Sequence, residues 1–277
     1  MPEFETGRFP IRWTPEQPDC SGVPPFHVHA YNPAFFILRQ SGCTHFEKPF
    51  LYLVLGTREA MLIDTGAGNA DAAPCVDDIL RDDAARAGRA PLPLLVVHSH
   101  GHSDHVAGDA AFRDRPGVRL VDATDPAVIR FFGLSGWPDG AAEYDLGSRI
   151  LDVFPIPGHG PASLAFYDRR TGILLTGDVV YPGRLYVRDD AAFRASIDRL
   201  VAFTAARDVT HVLGCHIENS STPFVDYPEG TMHQPDEHVL ELGRAHLLEV
   251  QAALREMKGA VVQRVLRDLT IWPVCVA

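Results

Sequence analysis

The chain has 277 residues, a formal net charge of −11, and hydrophobic and charged contents of 46% and 22%, which are ordinary for a folded globular protein. It contains no apolar run near the roughly 18 residues that a membrane span needs. It also shows no basic cluster that could follow a nucleic-acid backbone. We therefore expect neither a membrane nor a nucleic acid among its partners.

The N-terminal residues predict an extended arm. Residues 1–25 are rich in proline, glycine and charge, and they lack the apolar segment of a secretory signal. The cysteines are odd in number and form no Cys-x-x-Cys pair, which favours reduced thiols over a disulfide framework. We expect an arm over 1–25, one domain over 26–277 and a cytoplasmic location. The five cysteines are Cys20, Cys43, Cys75, Cys215 and Cys275.

The first half of the chain predicts strands followed by strand–helix alternation. Short apolar runs rich in β-branched and aromatic residues predict strands over 35–38, 50–55, 60–63 and 94–97. Helical spacing of apolar residues predicts a helix over 73–87, which Gly88 would end. A further helix is expected to begin near Ser103.

The second half repeats the alternation. Strands are expected over 150–156, 163–167, 173–175 and 209–213, and residues 168–172 form a turn between the second and third of them. An amphipathic pattern predicts a helix over 189–206, and Pro235 with the following acids predicts another over 235–257. The pattern indicates a layered α/β protein.

A histidine-rich run follows the apolar strand at 94–97. His100, His102, Asp104 and His105 lie within six residues, and imidazole and carboxylate are common metal ligands. Unpaired polar groups at the end of a buried strand would be costly to desolvate, so the run needs a partner such as a metal ion. The alternative is a solvated loop that happens to be rich in histidine.

Three later donors have the same context as this run. His159, Asp178 and His216 each follow an apolar strand and a small residue. An α/β scaffold can gather such side chains along one edge of its sheets, where glycine lets the backbone approach closely. The sequence therefore predicts a shared metal site.

This ordered set resembles the metallo-β-lactamase-fold hydrolases, and most of all their glyoxalase II and lactonase-like branches. The resemblance rests on His-x-His-x-Asp-His at 100–105, Gly-His at 159, Gly-Asp at 178 and the strand-end His216. Asp64 in Ile63-Asp64-Thr65-Gly66 matches an aspartate that the family carries after an early strand. The resemblance implies an αββα sandwich with a two-metal site at its rim.

The resemblance also implies the role of each donor. Asp64 would orient a ligand imidazole, and Asp104 would both bind metal and accept the proton of the attacking water. Histidine at position 102 favours two zinc ions over the di-iron sites of relatives that handle oxygen; iron and manganese stay open. The implied ligands are His100, His102 and His159 for one metal, and Asp104, His105 and His216 for the other, with Asp178 bridging both.

The long loop over 217–234 is expected to select a small-molecule substrate, because loops at such rims usually do. Each aromatic or polar candidate could equally serve only to pack the loop. His98, the pair His27 and His29, and Cys215 are interpreted as structural rather than metal-binding. The candidate pocket residues are Tyr181, Tyr186, Phe224, Tyr227, Met232 and His233.

The leading functional hypothesis is a metal-dependent hydrolase of an ester, thioester, lactone or lactam. The roughly 60 residues after His216 contain one lysine, Lys258, which speaks against the basic glutathione-binding extension of glyoxalase II. The alternatives are a phosphodiesterase or nuclease of the same fold, an iron-dependent sulfur dioxygenase, and an inactive member used for binding. A homodimer is left open.

Overall fold

Two six-stranded β-sheets packed face to face form the centre of the computed structural model, which describes residues 4–13 and 19–274. The first sheet has its strands in chain order, and its first helix connects two parallel strands. The elements up to residue 132 are β1 (Phe26–Asn32), β2 (Phe35–Gln40), β3 (Phe50–Leu55), β4 (Ala60–Ile63), α1 (Ala73–Ala87), β5 (Leu94–Val97), α2 (Ser103–Val106), β6 (Val118–Leu120) and α3 (Asp125–Phe132).

The remaining elements build the second sheet and a smaller third one. They are β7 (Ala142–Asp145), β8 (Ile150–Pro155), β9 (Leu164–Asp168), β10 (Ile173–Gly177), β11 (Arg184–Val187), α4 (Asp190–Ala206), β12 (His211–Gly214), β13 (Glu241–Leu242), α5 (Arg244–Glu256), β14 (Arg264–Val265) and β15 (Thr270–Pro273). The second sheet has the order β13-β12-β10-β9-β8-β7, and the third has the order β11-β15-β14.

Alternating side chains on buried strands create the layers. In β3, Tyr52 and Val54 face the core between the two large sheets, whereas Leu53 and Leu55 pack with residues of α1. In β10, Leu174 instead joins the core formed with α4 and α5. Burying one such side chain contributes about 1.5–3 kcal/mol, so both faces of each sheet must be covered. The result is the expected αββα sandwich.

The expected helix over 235–257 is wrong in its first part, because α5 begins at Arg244. Residues 235–239 pair with the loop after β12 instead. Asp236 accepts a hydrogen bond from the Ser221 backbone, and His238 donates one to the Asn219 carbonyl. These backbone groups form hydrogen bonds with a distant segment, and the local spacing of apolar residues does not reveal such contacts.

The expectation that all cysteines are reduced is also wrong. Cys20 and Cys43, 23 residues apart, form a disulfide with a Cα–Cα distance of 5.5 Å. A turn after β2 brings Cys43 beside the incoming chain, where the Ser41 backbone donates to the Pro25 carbonyl. Sequence spacing does not show this proximity. Cys75 and Cys215 are free thiols, and Cys275 lies outside the described residues.

The N-terminal residues cross the surface without helix or strand over 4–13 and 19–25. Glu5 donates from its backbone to the Arg170 carbonyl at 2.7 Å, and Trp13 is buried in the core between the sheets. The other parts of the expected arm, residues 1–3 and 14–18, lie outside the described residues. Among the helices that the structure describes, none combines the length and apolar character needed to cross a bilayer.

Candidate metal centre

The predicted donors come together at one edge of the sandwich. β4 and β5 run parallel, as do β10 and β12, so the carboxyl ends of each pair meet at the same edge. Asp64 follows β4, the histidine run follows β5, Asp178 follows β10, and His216 follows β12. Strand ends in both sheets therefore supply the site.

Two glycines allow the close approach that this convergence requires. A Cβ atom on Gly160 would lie 2.9 Å from Cδ2 of His100 and 3.2 Å from Cε1 of His102. Gly177 has a positive φ of 52°, and a Cβ atom there would lie 2.8 Å from the Ser99 Cβ. A side chain at position 160 would displace His100 and His102, and one at position 177 would displace Ser99, which precedes His100.

The donors form two groups in which all candidate ligand atoms lie within 4.8 Å of one another. The groups are His100, His102 and His159, and then Asp104, His105, Asp178 and His216. In the first, His102 Nδ1 lies 2.8 Å from His100 Nε2 and 3.0 Å from His159 Nε2. In the second, Asp104 Oδ2 lies 2.9 Å from His105 Nε2 and 3.1 Å from His216 Nε2.

Asp178 lies between the two groups. Its Oδ2 is 3.8 Å and 3.5 Å from the Nε2 atoms of His100 and His159, and 3.4 Å and 3.3 Å from those of His105 and His216. Its Oδ1 is buried and has no hydrogen-bond partner in the part of the chain that the structure describes. A buried carboxylate oxygen without a partner is costly, so this atom is suited to a cation.

Anchors on the far side of the rings fix the orientation of three imidazoles. His105 Nδ1 lies 2.9 Å from an oxygen of fully buried Asp64. The His159 ring donates from Nδ1 to the Tyr186 carbonyl at 3.0 Å, and the His216 ring donates from Nδ1 to the Glu47 carbonyl at 2.9 Å. Each Nε2 is thereby directed into the cluster, as in protein sites that bind metal through histidine.

Burial and neighbouring charges lower the pKa of some imidazoles in the cluster and raise that of others. Burial lowers the pKa of His159 to about 4, which leaves a neutral ring with a free lone pair. Burial also acts to lower the pKa of His105 and of His216, but Asp178 and the neighbouring carboxylates outweigh it and hold both pKa values well above the ordinary range. A cation bound there would replace these protons, because a metal ligand must be deprotonated.

These observations agree with a metal-binding role for the donor set. Ring nitrogens of His100 and His102 lie 2.8 Å apart and those of His105 and His216 lie 3.4 Å apart, and one buried oxygen of Asp178 has no partner among the described residues. Five imidazoles and two carboxylates form a nitrogen- and oxygen-rich set that suits zinc and related divalent ions. The residues fit such ions.

A cavity of about 220 Å³ opens over the cluster. Five of the donors line it: His102, Asp104, His159, Asp178 and His216. Two predicted pocket residues, Tyr181 and Tyr186, also line it. The other four candidates are not among its lining residues. Phe224, Met232 and His233 are exposed, and the Tyr227 hydroxyl accepts a hydrogen bond from the Asp236 backbone.

The loop after β12 turns back on itself, which explains these four positions. Asn219 forms a bridge with Asp226, and the Arg184 guanidinium binds the Asp226 carboxylate. The tip that carries Phe224 is thereby held away from the cavity. The segment 228–231 lies at the cavity rim in its place.

Five charged residues at the cavity were missed by the sequence analysis: Glu47, Arg184, Arg188, Glu218 and Glu229. Arg184 begins strand β11 and Arg188 follows it directly, and this strand was not predicted. A charged residue at each end of a short apolar run was the available signal. Without the strand, nothing in the sequence placed that run beside the metal ligands.

The residues interpreted as structural belong to neither donor group, although Cys215 lies close to His105. His98 Nε2 contacts Asp109 Oδ1 at 2.8 Å and does not belong to either donor group. Cys215 is buried, with its thiol 3.3 Å from an Asp64 oxygen. His27 and His29 lie on β1, at the opposite edge of the first sheet from β6.

Comparison with known sequences decides the family. A sequence model of the metallo-beta-lactamase superfamily matches residues 48–216, which span every predicted metal ligand. The chain belongs to this superfamily.

Curated relatives of this superfamily member include two kinds of named enzyme. The chain is 33% identical over 168 residues to an acyl-coenzyme A thioesterase MBLAC2 of Bos taurus, covering 49% of this chain and 59% of the relative. It is 34% identical over 137 residues to a hydroxyacylglutathione hydrolase of Anaeromyxobacter dehalogenans, covering 48% of this chain and 46% of the relative. The match thus spans about half the length of each relative.

Solved structures share the fold. A metallo-beta-lactamase from Pontibacter korlensis has a TM-score of 0.55 at 19% identity, covering 84% of this chain and all of that one. A metallo-beta-lactamase from Hirschia baltica has a TM-score of 0.52 at 15% identity, covering 69% of this chain and 90% of that one. At these identities the likeness concerns the fold alone.

Proposed function

We propose that this protein is a metal-dependent hydrolase of thioesters that binds two divalent metal ions, zinc in the first instance. The observation that carries the proposal is the convergence of seven side chains from strand ends of both sheets, five of which line one open cavity. A structural zinc site is closed by four ligands, whereas a catalytic site keeps a position open to solvent.

The first ion would be held by His100, His102 and His159, and the second by Asp104, His105 and His216, with Asp178 between them. When bound, two divalent cations lower the pKa of water so that a nucleophile exists at neutral pH, and they polarise a carbonyl oxygen. The roles of the side chains follow from their positions.

Asp104 is the side chain suited to handle the proton of the attacking water. It lines the cavity, and contacts with His105 and His216 hold its pKa below the ordinary range against the opposing effect of burial. It is therefore ionised before the reaction and can accept a proton as water adds to the carbonyl carbon. That proton can then pass to the departing thiolate, which leaves as a thiol.

Tyr186 is positioned to donate a hydrogen bond to the substrate. Arg184 Nε donates to the Tyr186 hydroxyl oxygen at 3.0 Å, which leaves the hydroxyl hydrogen available towards the cavity that Tyr186 lines. Burial and Glu218 raise the pKa of Tyr186, so the hydroxyl stays protonated. A donor aimed at the carbonyl oxygen would stabilise the negative charge that develops there.

Two considerations favour a thioester among the carbonyl substrates. The curated relatives are named for acyl-coenzyme A and hydroxyacylglutathione, both of which pair an acyl group with a thiol carrier. A cavity of about 220 Å³ accepts a reacting carbonyl and a short acyl group, while its open mouth leaves room for a carrier outside.

The test begins with protein stripped by a chelator and reconstituted with zinc, manganese or ferrous iron. We expect zinc to restore thioester hydrolysis, which is measured by the release of the thiol. The rate with thioesters should exceed the rates with lactones, β-lactams and phosphodiesters. His102→Ala and Asp178→Ala should each abolish turnover while circular dichroism shows a folded protein. Full activity of the metal-free protein would reject the mechanism, and thiol-dependent oxygen uptake by the iron form would indicate a dioxygenase instead.

A further inference from the structure

Arg188 is fixed at the mouth of the cavity, beside the first group of metal ligands. It follows β11 directly, and its backbone N–H donates to the Gly158 carbonyl at 2.9 Å, one residue before His159. Strand β11 is itself tied to this group, because the Tyr186 carbonyl accepts from His159 Nδ1. The exposed Arg188 side chain lines the cavity from this position.

The two acids that follow Arg188 in the sequence form hydrogen bonds with other groups. Asp189 caps α4, with its side chain accepting from the Ala192 backbone at 3.0 Å. Asp190 accepts from Arg194 Nε at 2.6 Å and from the Val261 backbone at 2.7 Å. Neither carboxylate therefore neutralises the Arg188 guanidinium.

The second arginine of the cavity, Arg184, is neutralised by acids. Arg184 forms ion pairs with Glu218 and Asp226 and is itself buried. Over residues 4–13 and 19–274, no side chain forms a hydrogen bond or ion pair with the Arg188 guanidinium.

Charged groups of both signs line the cavity. Arg188 lies beside His102 and His159, whereas the Glu47 carbonyl anchors His216, and Glu218 and Glu229 are further acids of the lining. A guanidinium offers a planar pair of donors that matches the two oxygens of a carboxylate or phosphate. A free guanidinium at one end of a cavity is suited to a substrate that is anionic at that end.

We propose that Arg188 is a specificity-determining residue that binds a carboxylate or phosphate group of the substrate. The inference rests on the proposed hydrolase function and narrows its substrate class to thioesters with an anionic group on the acyl or the thiol side. Either side presents the same chemistry to the guanidinium, so the experiment separates them.

The experiment uses three thioesters on the zinc-loaded protein. The neutral reference is S-butyryl-N-acetylcysteamine, the acyl-side anion is S-succinyl-N-acetylcysteamine, and the thiol-side anion is S-butyryl-3-mercaptopropionate. We expect one of the two anionic thioesters to exceed the neutral one in kcat/KM by about tenfold or more. In Arg188→Gln this ratio should fall towards one. The control Arg130→Gln removes the same charge from an exposed position of α3, outside the cavity lining, and should keep the wild-type ratio.

A binding measurement keeps the inference testable if no thioester is hydrolysed, which would be a failure of the proposed function alone. Calorimetry compares the non-hydrolysable thioethers S-(3-carboxypropyl)-N-acetylcysteamine, S-butyl-N-acetylcysteamine and S-butyl-3-mercaptopropionate. Binding of one anionic thioether should be about tenfold tighter than that of the neutral one, and this advantage should weaken with salt and disappear in Arg188→Gln. Equal binding of all three by the wild type, or an unchanged advantage in Arg188→Gln, would overturn the assignment of Arg188.

Discussion

Asp64→Asn tests whether the metal site depends on the buried carboxylate behind it. Asp64 is fully buried and accepts hydrogen bonds from the Ser99 backbone at 2.7 Å and the Ser99 hydroxyl at 2.8 Å, while His105 Nδ1 lies 2.9 Å away. Its φ is +70°, a conformation that asparagine adopts more readily than most residues. Asparagine therefore preserves the shape and the backbone and changes the chemistry alone.

The expected loss follows from the number of acceptors. An amide has one oxygen where the carboxylate has two, so either His105 or Ser99 faces an NH₂ group that cannot accept. A hydrogen bond to a charged group contributes about 1.5–3 kcal/mol. Because 1.4 kcal/mol is tenfold in an equilibrium constant, zinc affinity should fall by about 10–100-fold.

The assay is a competition between the protein and a chromophoric zinc chelator, with urea unfolding of the metal-free protein measured in parallel. Asp109→Asn is the matched control, since Asp109 pairs with His98, which belongs to neither donor group. The control should bind zinc within about threefold of the wild type. Wild-type affinity in Asp64→Asn would refute the reasoning, as would an equal loss in the two variants.

Three further predictions concern single features around the site. Tyr186→Phe should lower kcat about tenfold or more and leave the free energy of unfolding unchanged. Tyr181→Phe loses a buried hydroxyl that donates to a backbone carbonyl, so it should cost about 1 kcal/mol of stability. The reverse pattern would exclude Tyr186 as the donor. Burial lowers the pKa of Lys48 to about 7, so between pH 7 and pH 10 the unfolded chain binds more protons and the wild type gains stability as pH rises. The stability of Lys48→Met relative to the wild type, from urea unfolding, should therefore be about 2 kcal/mol lower at pH 9 than at pH 7, and a constant difference would argue against the shift. Cys20→Ser should cost about 3 kcal/mol by opening the Cys20–Cys43 loop, and a thiol reductant should destabilise the wild type to the same level without affecting the variant.

The donor positions could be predicted because their signal is local. An apolar run, a small residue and a donor together indicate a strand end with its side chain at the sheet edge, and His159, Asp178 and His216 all follow this pattern. The resemblance then supplied the αββα sandwich and the division of the donors between two metals, which no local pattern contains. Fold class and donor grouping were accordingly predictable.

The features that were mispredicted depend on contacts between distant segments. The residues before Arg244 pair with the loop after β12, and Cys43 meets Cys20 only because of the turn after β2. Phe224 was a reasonable pocket candidate by composition, yet the Asn219–Asp226 bridge holds it outside. Arg188 needed strand β11, which forms by pairing with the distant strand β15.

The number of metal ions bound per chain tests the central claim most directly. Protein stripped by a chelator, reconstituted with excess zinc and passed through a desalting column would be analysed by inductively coupled plasma mass spectrometry. Seven donors in two groups predict about two zinc ions per chain in the wild type and about one in His102→Ala. Asp178→Ala should also bind fewer zinc ions per chain than the wild type. Fewer than one zinc ion per wild-type chain, or two retained in Asp178→Ala, would contradict the account.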